Sequence, residues 1–197
     1  MTKRLFDLLA SSFGLFCLAP LFLAIITFIK LDSPGPAFYR QERVGRGGRL
    51  FRIHKFRTMV IDAELLGAQI TVGADPRVTR VGRWLRKYKL DELPQLLDVW
   101  LGHMSLVGPR PEVPRYVACY PANVRHLVLS VRPGITDRAS IEFRDENEIL
   151  GRSVDPHLAY INDVLPIKLS YCLDYVQNAS FCGDIAIIFA TLRALVR

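Results

Sequence analysis

From Leu8 to Ile29 the chain reads LLASSFGLFCLAPLFLAIITFI, 22 residues without a charge. About 20 apolar residues of helix cross a hydrocarbon layer, so this segment predicts one membrane-embedded helix. Pro20 lies near its middle and removes one helical N–H while crowding the preceding turn, which predicts a break at Ala19-Pro20. Lys3 and Arg4 precede the segment, and Lys30, Arg40, Arg43, Arg46 and Arg49 follow it. Positive residues at both ends favour the cytoplasmic side for both. Two topologies fit: a helix that enters one leaflet and returns, and a kinked spanning helix. A secretory signal fits less well, because the apolar run exceeds a signal core of ~7–15 residues and no small-residue cleavage pattern follows.

Beyond this segment the pattern shortens. Residues 32–59, DSPGPAFYRQERVGRGGRLFRIHKFRTM, alternate large and polar positions around GRGG and predict a β-hairpin with a glycine-rich turn. In its second strand Phe51, Ile53, Lys55 and Arg57 share one face, and Arg52, His54 and Phe56 the other. No Gly-Lys-Ser/Thr follows the glycines, so they do not form a nucleotide-type phosphate loop. DPRVTRVGRWLRKYKL, residues 75–90, predicts a basic amphipathic helix: Val81, Trp84, Leu85 and Tyr88 recur on one face, with Arg80, Arg83 and Lys87 on another. A short apolar helix then runs from about Asp91 to Gly102, with Pro94 tolerated in its first turn. The loops VGPRP and VRPGIT carry Arg110 and Arg132, FRDENEIL begins another helix, and FCGDIAIIFATLRALVR closes with an amphipathic helix showing Ile185, Ile188, Phe189 and Leu192 on one side. The expected class is α+β, mostly α, divided into a membrane helix at 1–32 and a catalytic or binding domain at 33–197.

Charge sharpens this picture. Residues 1–60 hold ten Lys/Arg against three Asp/Glu, whereas residues 91–197 hold ten against thirteen. A basic half beside a membrane segment suits anionic head groups or a phosphorylated substrate, and on charge alone nucleic acid too. Cys17, Cys119, Cys172 and Cys182 form no CxxC pair, and the four histidines are scattered, so packed free thiols are expected and a zinc site is not.

The candidate chemistry sits in RKYKLDELPQLLDVW, residues 86–100. Asp91 suits a helix cap, with Glu92 in the first turn completing the dipole interaction. Yet residues 77–90 contain six Lys/Arg and no acid. An anionic phosphate would be drawn by these cations and repelled by the carboxylates, a conflict that Mg²⁺ resolves by binding carboxylates and substrate phosphates together. A carboxylate can also act as a nucleophile towards phosphorus. Residues adjacent in a helix point about 100° apart, so the two acids are expected to have different roles.

KFRTM, LRKYKLDELPQLLDVWLGHMSLVGPRP, RPGIT and DYVQNASFCGDIAIIFATL together resemble the bacterial sugar transferases, the small monotopic phosphoglycosyl transferases, over residues 2–193. The resemblance implies transfer of a phospho-sugar from a UDP-sugar to a polyprenol phosphate, usually undecaprenyl phosphate, with release of UMP. It implies a re-entrant helix at the cytoplasmic face of the bacterial inner membrane, among its lipids, and Mg²⁺ held by Asp91 and Glu92. Carried onto this chain, residues 33–197 are the cytoplasmic catalytic domain, Asp91 is the nucleophile that carries the phospho-sugar, and Glu92 is its partner, assisting Mg²⁺ binding or proton handling. Lys55, Arg57 and Arg86 match basic positions expected to contact phosphates, and Arg110 and Arg132 match anion-binding loops. No nucleic-acid partner follows from this resemblance, and a homodimer is left open. The chain departs from the family at Asp137, where members commonly carry glycine, and at Cys172, where an acid is frequent and Asp174 lies two places on. Both departures are expected near sugar or nucleotide recognition. The rival from another class is a non-catalytic membrane-tethered protein that binds or scaffolds anionic ligands, which leaves the Asp-Glu pair without a role.

Overall fold

A computed structural model describes residues 2–63, 75–144 and 146–196. Among these residues the chain is a mostly helical α+β protein with two small two-stranded sheets. Helix α1 spans Thr2–Asp32 and continues through Pro20, so the expected break at Ala19-Pro20 does not interrupt it. Pro20 lies on the exposed side, and a proline costs one intrahelical bond without requiring the helix to end there. One stripe of α1, through Asp7, Ser11, Ile25 and Ile29, is buried against the rest of the protein. The opposite stripe, through Leu9, Phe13, Phe16, Leu23 and Leu31, is open.

Strands β1 (Phe38–Val44) and β2 (Leu50–Phe56) form the expected antiparallel hairpin, from Phe38 opposite Phe56 to Val44 opposite Leu50. Gly47 and Gly48 take φ of +67° and +79° in its turn, backbone that glycine adopts without penalty. Phe56 ends β2 between the rings of Phe22 and Phe38, at 5.2 and 5.4 Å, and with Ile25, Ile29 and Leu85 forms the core that holds α1.

Helix α2 covers Arg80–Lys87 and starts later than the pattern implied, because Thr79 caps it by accepting from Gly82 N. A 3₁₀ turn, Leu90–Glu92, leads into α3 (Gln95–Leu101). The parallel pair β3 (Ser105–Val107) and β4 (Gly134–Thr136) joins the VGPRP and RPGIT loops, which the sequence pattern reads as turns only. Between them lie α4 (Pro114–Val117) and α5 (Ala122–Val128). Helices α6 (Arg138–Glu142), α7 (Glu146–Gly151) and α8 (Pro156–Ala159) follow. A π-helical segment, Tyr160–Val164, runs straight into α9 (Leu165–Asn178), and α10 spans Phe181–Val196. The largest core packs α4, α5 and α9 around Val117, Leu150, Tyr160 and Leu165. On α10, Asp184 and Ile187 face inward while Phe189 and Leu192 stay exposed.

Cys172 is packed in the largest core, whereas Cys17, Cys119 and Cys182 are exposed, so only one thiol is buried as expected.

Candidate active site

Asp91 and Glu92 lie in the 3₁₀ turn ahead of α3 instead of capping it. Lys89 precedes the turn in left-handed backbone, φ +55°, and Pro94 occupies the N-cap position of α3 without a side-chain cap bond. Left-handed backbone at a non-glycine costs on the order of 1 kcal/mol and persists where surrounding structure enforces it. The consequence is two carboxylates carried on a turn with α3 behind them, at the wall of a cleft of about 930 Å³.

Glu92 is held from two directions. Arg110 grips it with both terminal nitrogens, Nη1 to Oε2 at 2.9 Å and Nη2 to Oε1, and Lys55 Nζ reaches Oε1 at 2.8 Å. Burial opposes ionisation of Glu92, but Arg110 and Lys55 outweigh it and hold the carboxyl well below the usual range. Asp91 is the opposite case. Its carboxylate makes no hydrogen bond or ion pair among the described residues, and burial together with the neighbouring Glu92 raises its pKa against the pull of Lys55, Arg86 and Lys89. Adjacent acids are thus pushed apart: one fixed as a paired anion, one poised and unpaired. A carboxylate with free lone pairs can attack an electrophile; one clamped by a bidentate arginine cannot without losing its partners.

The scaffold that brings Lys55 here lies in α3. Asp98 is fully buried and accepts from His54 N at 2.8 Å, while its other oxygen sits 2.8 Å from His54 Nδ1. This fixes β2 against α3 and delivers the next residue, Lys55, to Glu92. Asp137, the departure from the family glycine, caps α6 by accepting from Ser140 N at 2.7 Å, and it also accepts from Arg110 N at 3.1 Å. It therefore sets the backbone of the clamping arginine. Cys172, the second departure, is part of the core and does not line the cleft. Asp174 is exposed and pairs with Arg138 at 3.3 Å.

The other expected cations divide. Arg86 lines the cleft, uses Nε on Thr58 Oγ1 at 2.9 Å, and keeps its terminal nitrogens unbonded among the described residues. Arg57 edges the cleft, but its guanidinium is committed to Pro34 O and to Ser33 O and Oγ, closing the turn after α1. Arg132 lies outside the cleft lining and donates Nε to Gly102 O at 3.1 Å, tying the RPGIT loop to the end of α3. Both arginines serve as fasteners.

The donor set fits a cation that shares its shell with phosphates. Among the described residues no three His, Cys, Asp or Glu side chains cluster for a metal. Mg²⁺ needs only one or two carboxylates when substrate phosphates and water complete its octahedron. Asp91 is unclaimed, and Glu92 Oε2 carries one protein hydrogen bond and so retains a lone pair.

The sequence pattern missed a second polar group on the same cleft: Arg43, Glu112, Glu146, Tyr160 and Lys168. Glu112 accepts from Tyr160 Oη at 2.5 Å, and Lys168 pairs with Glu146 at 2.6 Å. The only signal was Glu112 itself, two residues beyond Arg110 in GPRPE.

All 197 residues match the family model described as bacterial sugar transferase. The chain is 40% identical over 199 residues to a UDP-N-acetylgalactosamine-undecaprenyl-phosphate N-acetylgalactosaminephosphotransferase of Aeromonas hydrophila, covering 98% of this chain and 43% of that protein. It is 41% identical over 202 residues to an undecaprenyl-phosphate glucose phosphotransferase of Komagataeibacter xylinus, covering 98% of this chain and 35% of that one. An exopolysaccharide production protein PSS of Rhizobium leguminosarum bv. phaseoli is 37% identical over 204 residues, at 96% of this chain and 92% of the relative. The chain therefore spans less than half the length of the first two relatives and nearly all of the third.

Proposed function

The chain belongs to the bacterial sugar transferase family, and on that premise we propose that it transfers a phospho-sugar from a UDP-sugar to undecaprenyl phosphate. The observation that carries the proposal is the split dyad: Asp91 unpaired and poised beside cations, Glu92 locked as an anion by Arg110 and Lys55. Relatives named for this acceptor act on different sugars, glucose in one and N-acetylgalactosamine in another, so the donor class is a UDP-hexose and its identity is left to measurement.

In the proposed sequence Asp91 attacks the β-phosphorus of the donor, the bond from that phosphorus to the bridging oxygen breaks, and UMP leaves with the electron pair. The phosphate oxygen of undecaprenyl phosphate then attacks the aspartyl phospho-sugar and returns Asp91 to its carboxylate. Arg86 and Lys55 face the charge that develops on the phosphoryl oxygens, an effect strongest in a partly desolvated site. Arg110 keeps Glu92 ionised, which assigns Glu92 to charge organisation and not to proton transfer. Asp91 and Glu92 would hold Mg²⁺, which supplies positive charge to offset the diphosphate.

For the lipid substrate we place the protein at the cytoplasmic face of the inner membrane, with α1 re-entrant. Support comes from both ends of α1 being bonded to the same body. Lys3 pairs with Asp184, Arg4 Nη1 donates to Val99 O at 2.6 Å, and Asp32 accepts from Val81 N at 2.9 Å. A spanning helix would put those ends on opposite sides of a bilayer.

The test is UMP release by the detergent-solubilised protein with Mg²⁺, undecaprenyl phosphate and a panel of UDP-sugars. Wild type releases UMP with at least one donor, and Asp91→Asn lowers the rate by at least 10³-fold, as expected for loss of a covalent nucleophile. Full turnover by Asp91→Asn would remove the nucleophile assignment. No UMP with any donor would favour a binding or scaffold protein.

A further inference from the structure

The cleft continues past Arg110 into a group that phosphate chemistry does not need. Arg43 connects the two parts: it lies within electrostatic reach of both Glu112 and Glu92. On the far side Arg43 and Lys168 are balanced by Glu112 and Glu146, and the guanidinium of Arg144, which also lines the cleft, donates to Ala194 O, so neither a phosphate nor a free cation is favoured there. Alternating donors and acceptors of this kind suit a neutral polyhydroxyl ligand.

Three further observations point the same way. Glu112 uses Oε1 to accept from Tyr160, while Oε2 makes no hydrogen bond among the described residues, its nearest cation being Arg43 at 3.6 Å. Tyr116 and Ser140 also line the cleft, and their hydroxyls are buried without a hydrogen-bond partner among the described residues. A buried hydroxyl is costly to leave unpaired, so two in the lining of one cleft mark where partners are supplied from outside. Finally, the π-helical segment Tyr160–Val164 accommodates one extra residue in its turn. In an unbroken α-helix Tyr160 and Lys168 would point about 80° apart; absorbing one residue brings them to within about 20°. The ammonium of Lys168 accordingly lies 5.1 Å from the centre of the Tyr160 ring. The turn is shaped to gather these side chains on one face.

We propose that Glu112, Lys168, Tyr116 and Ser140 form a diol-binding subsite that reads the hydroxyls of the sugar on the donor. Glu112 Oε2 accepts from one hydroxyl of a vicinal pair, Lys168 donates to the other, and the hydroxyls of Tyr116 and Ser140 meet neighbouring positions. The assignment rests on the proposed UDP-sugar chemistry at Asp91. A diol is offered by two parts of such a donor, the hexose and the ribose; the balanced charge and the position beyond the phosphate-facing cations assign the subsite to the hexose.

The variants Tyr116→Phe and Ser140→Ala remove unpaired hydroxyls and leave the folded protein at least as stable, which a thermal unfolding midpoint checks. Glu112→Gln keeps the Tyr160 contact and removes the charge. Calorimetric binding of UDP, UDP-glucose, UDP-galactose, UDP-N-acetylglucosamine and UDP-N-acetylgalactosamine is measured beside UMP release. In each variant, affinity for the preferred UDP-sugar falls ten- to hundredfold and the preference between 4-epimers shrinks towards one, while affinity for UDP changes less than threefold. This is the scale of losing one hydrogen bond to the ligand, larger where the protein partner is charged. Parallel weakening of UDP would assign the cluster to the ribose and overturn the proposal. An unchanged epimer preference would make the cluster a purely internal network, and so would failure of wild type to bind any UDP-sugar more tightly than UDP. If epimer-selective binding is lost in the variants but wild type releases no UMP, the transfer chemistry fails and the sugar subsite stands.

Discussion

At Asp91, burial and the adjacent Glu92 raise the carboxyl pKa; at Glu92, burial is overcome by Arg110 and Lys55, and the pKa falls. Unfolded values of about 3.9 and 4.3 would leave the pair nearly equivalent. The signs of their stability contributions are opposite. Asp91 contributes below its unfolded value and loses that contribution as pH rises through its raised folded value. Glu92 contributes above its unfolded value and loses it as pH falls through its depressed one. In the proposed mechanism Asp91 reacts in its ionised form, so UMP release should climb with pH through the raised Asp91 value and show no acid limb from Glu92. Arg110→Met removes the bidentate partner, allows Glu92 to titrate nearer the ordinary range, and should cost about 3 kcal/mol in unfolding free energy, as for a buried pair losing one member. A pH profile of UMP release with a denaturation curve measures both; an unchanged profile and midpoint would refute the clamp. The sequence made the acids visible but left Asp91 divided between cap and nucleophile. What separates the two is the left-handed backbone of Lys89 and the position of Pro94, conformations that residue type alone does not dictate.

The hairpin was legible because alternation and GRGG are local signals, and α2 and α3 because apolar spacing is. The pair β3–β4 was not: strands of three residues set between proline loops offer no alternation to detect. Its cause lies in close approach, since a Cβ on Gly134 would fall 2.1 Å from Gly108 N. The same holds for Gly82 in α2, where a Cβ would fall 2.1 Å from the carbonyl oxygen of Thr58. That carbonyl also receives Thr79 N at 3.0 Å, so the contact couples the end of the KFRTM segment to α2 and to Arg86. On an exposed helix Gly→Ala stabilises by about 1 kcal/mol. Here the obstacle is backbone, and Gly82→Ala should instead destabilise by about 2 kcal/mol, read as a lower unfolding midpoint, with weaker UMP release as Arg86 is displaced. A higher midpoint would show that the approach is not tight. The register of β2 was equally hidden, because it depends on Asp98, 44 residues beyond His54.

For the molecule as a whole, the long apolar segment was legible as membrane-seeking, whereas its attachment was not. Asp7 directly precedes the uncharged run, yet it is buried, accepting from Ser105 Oγ at 2.8 Å and from Leu106 N at 3.1 Å. Besides the exposed stripe of α1, Trp84 on α2, Tyr88 just after it, Trp100 on α3 and Phe189 on α10 are also exposed. Aromatic and apolar residues beside cations suit a membrane interface. Single cysteines introduced near Lys3 and Lys30, in a background lacking the native ones, should both be labelled by a membrane-impermeant reagent from the cytoplasmic side of inverted vesicles. Labelling from opposite sides would refute re-entry. The pairing of Lys3 with Asp184 also has a consequence for biosynthesis. The partners stand 181 positions apart, so at about 5–20 residues per second roughly 10–40 s separate their synthesis. Helix α1 is therefore made long before its partner on α10 exists and is among the last elements of this chain to be fully anchored, so until then its apolar surface needs shelter from outside the fold.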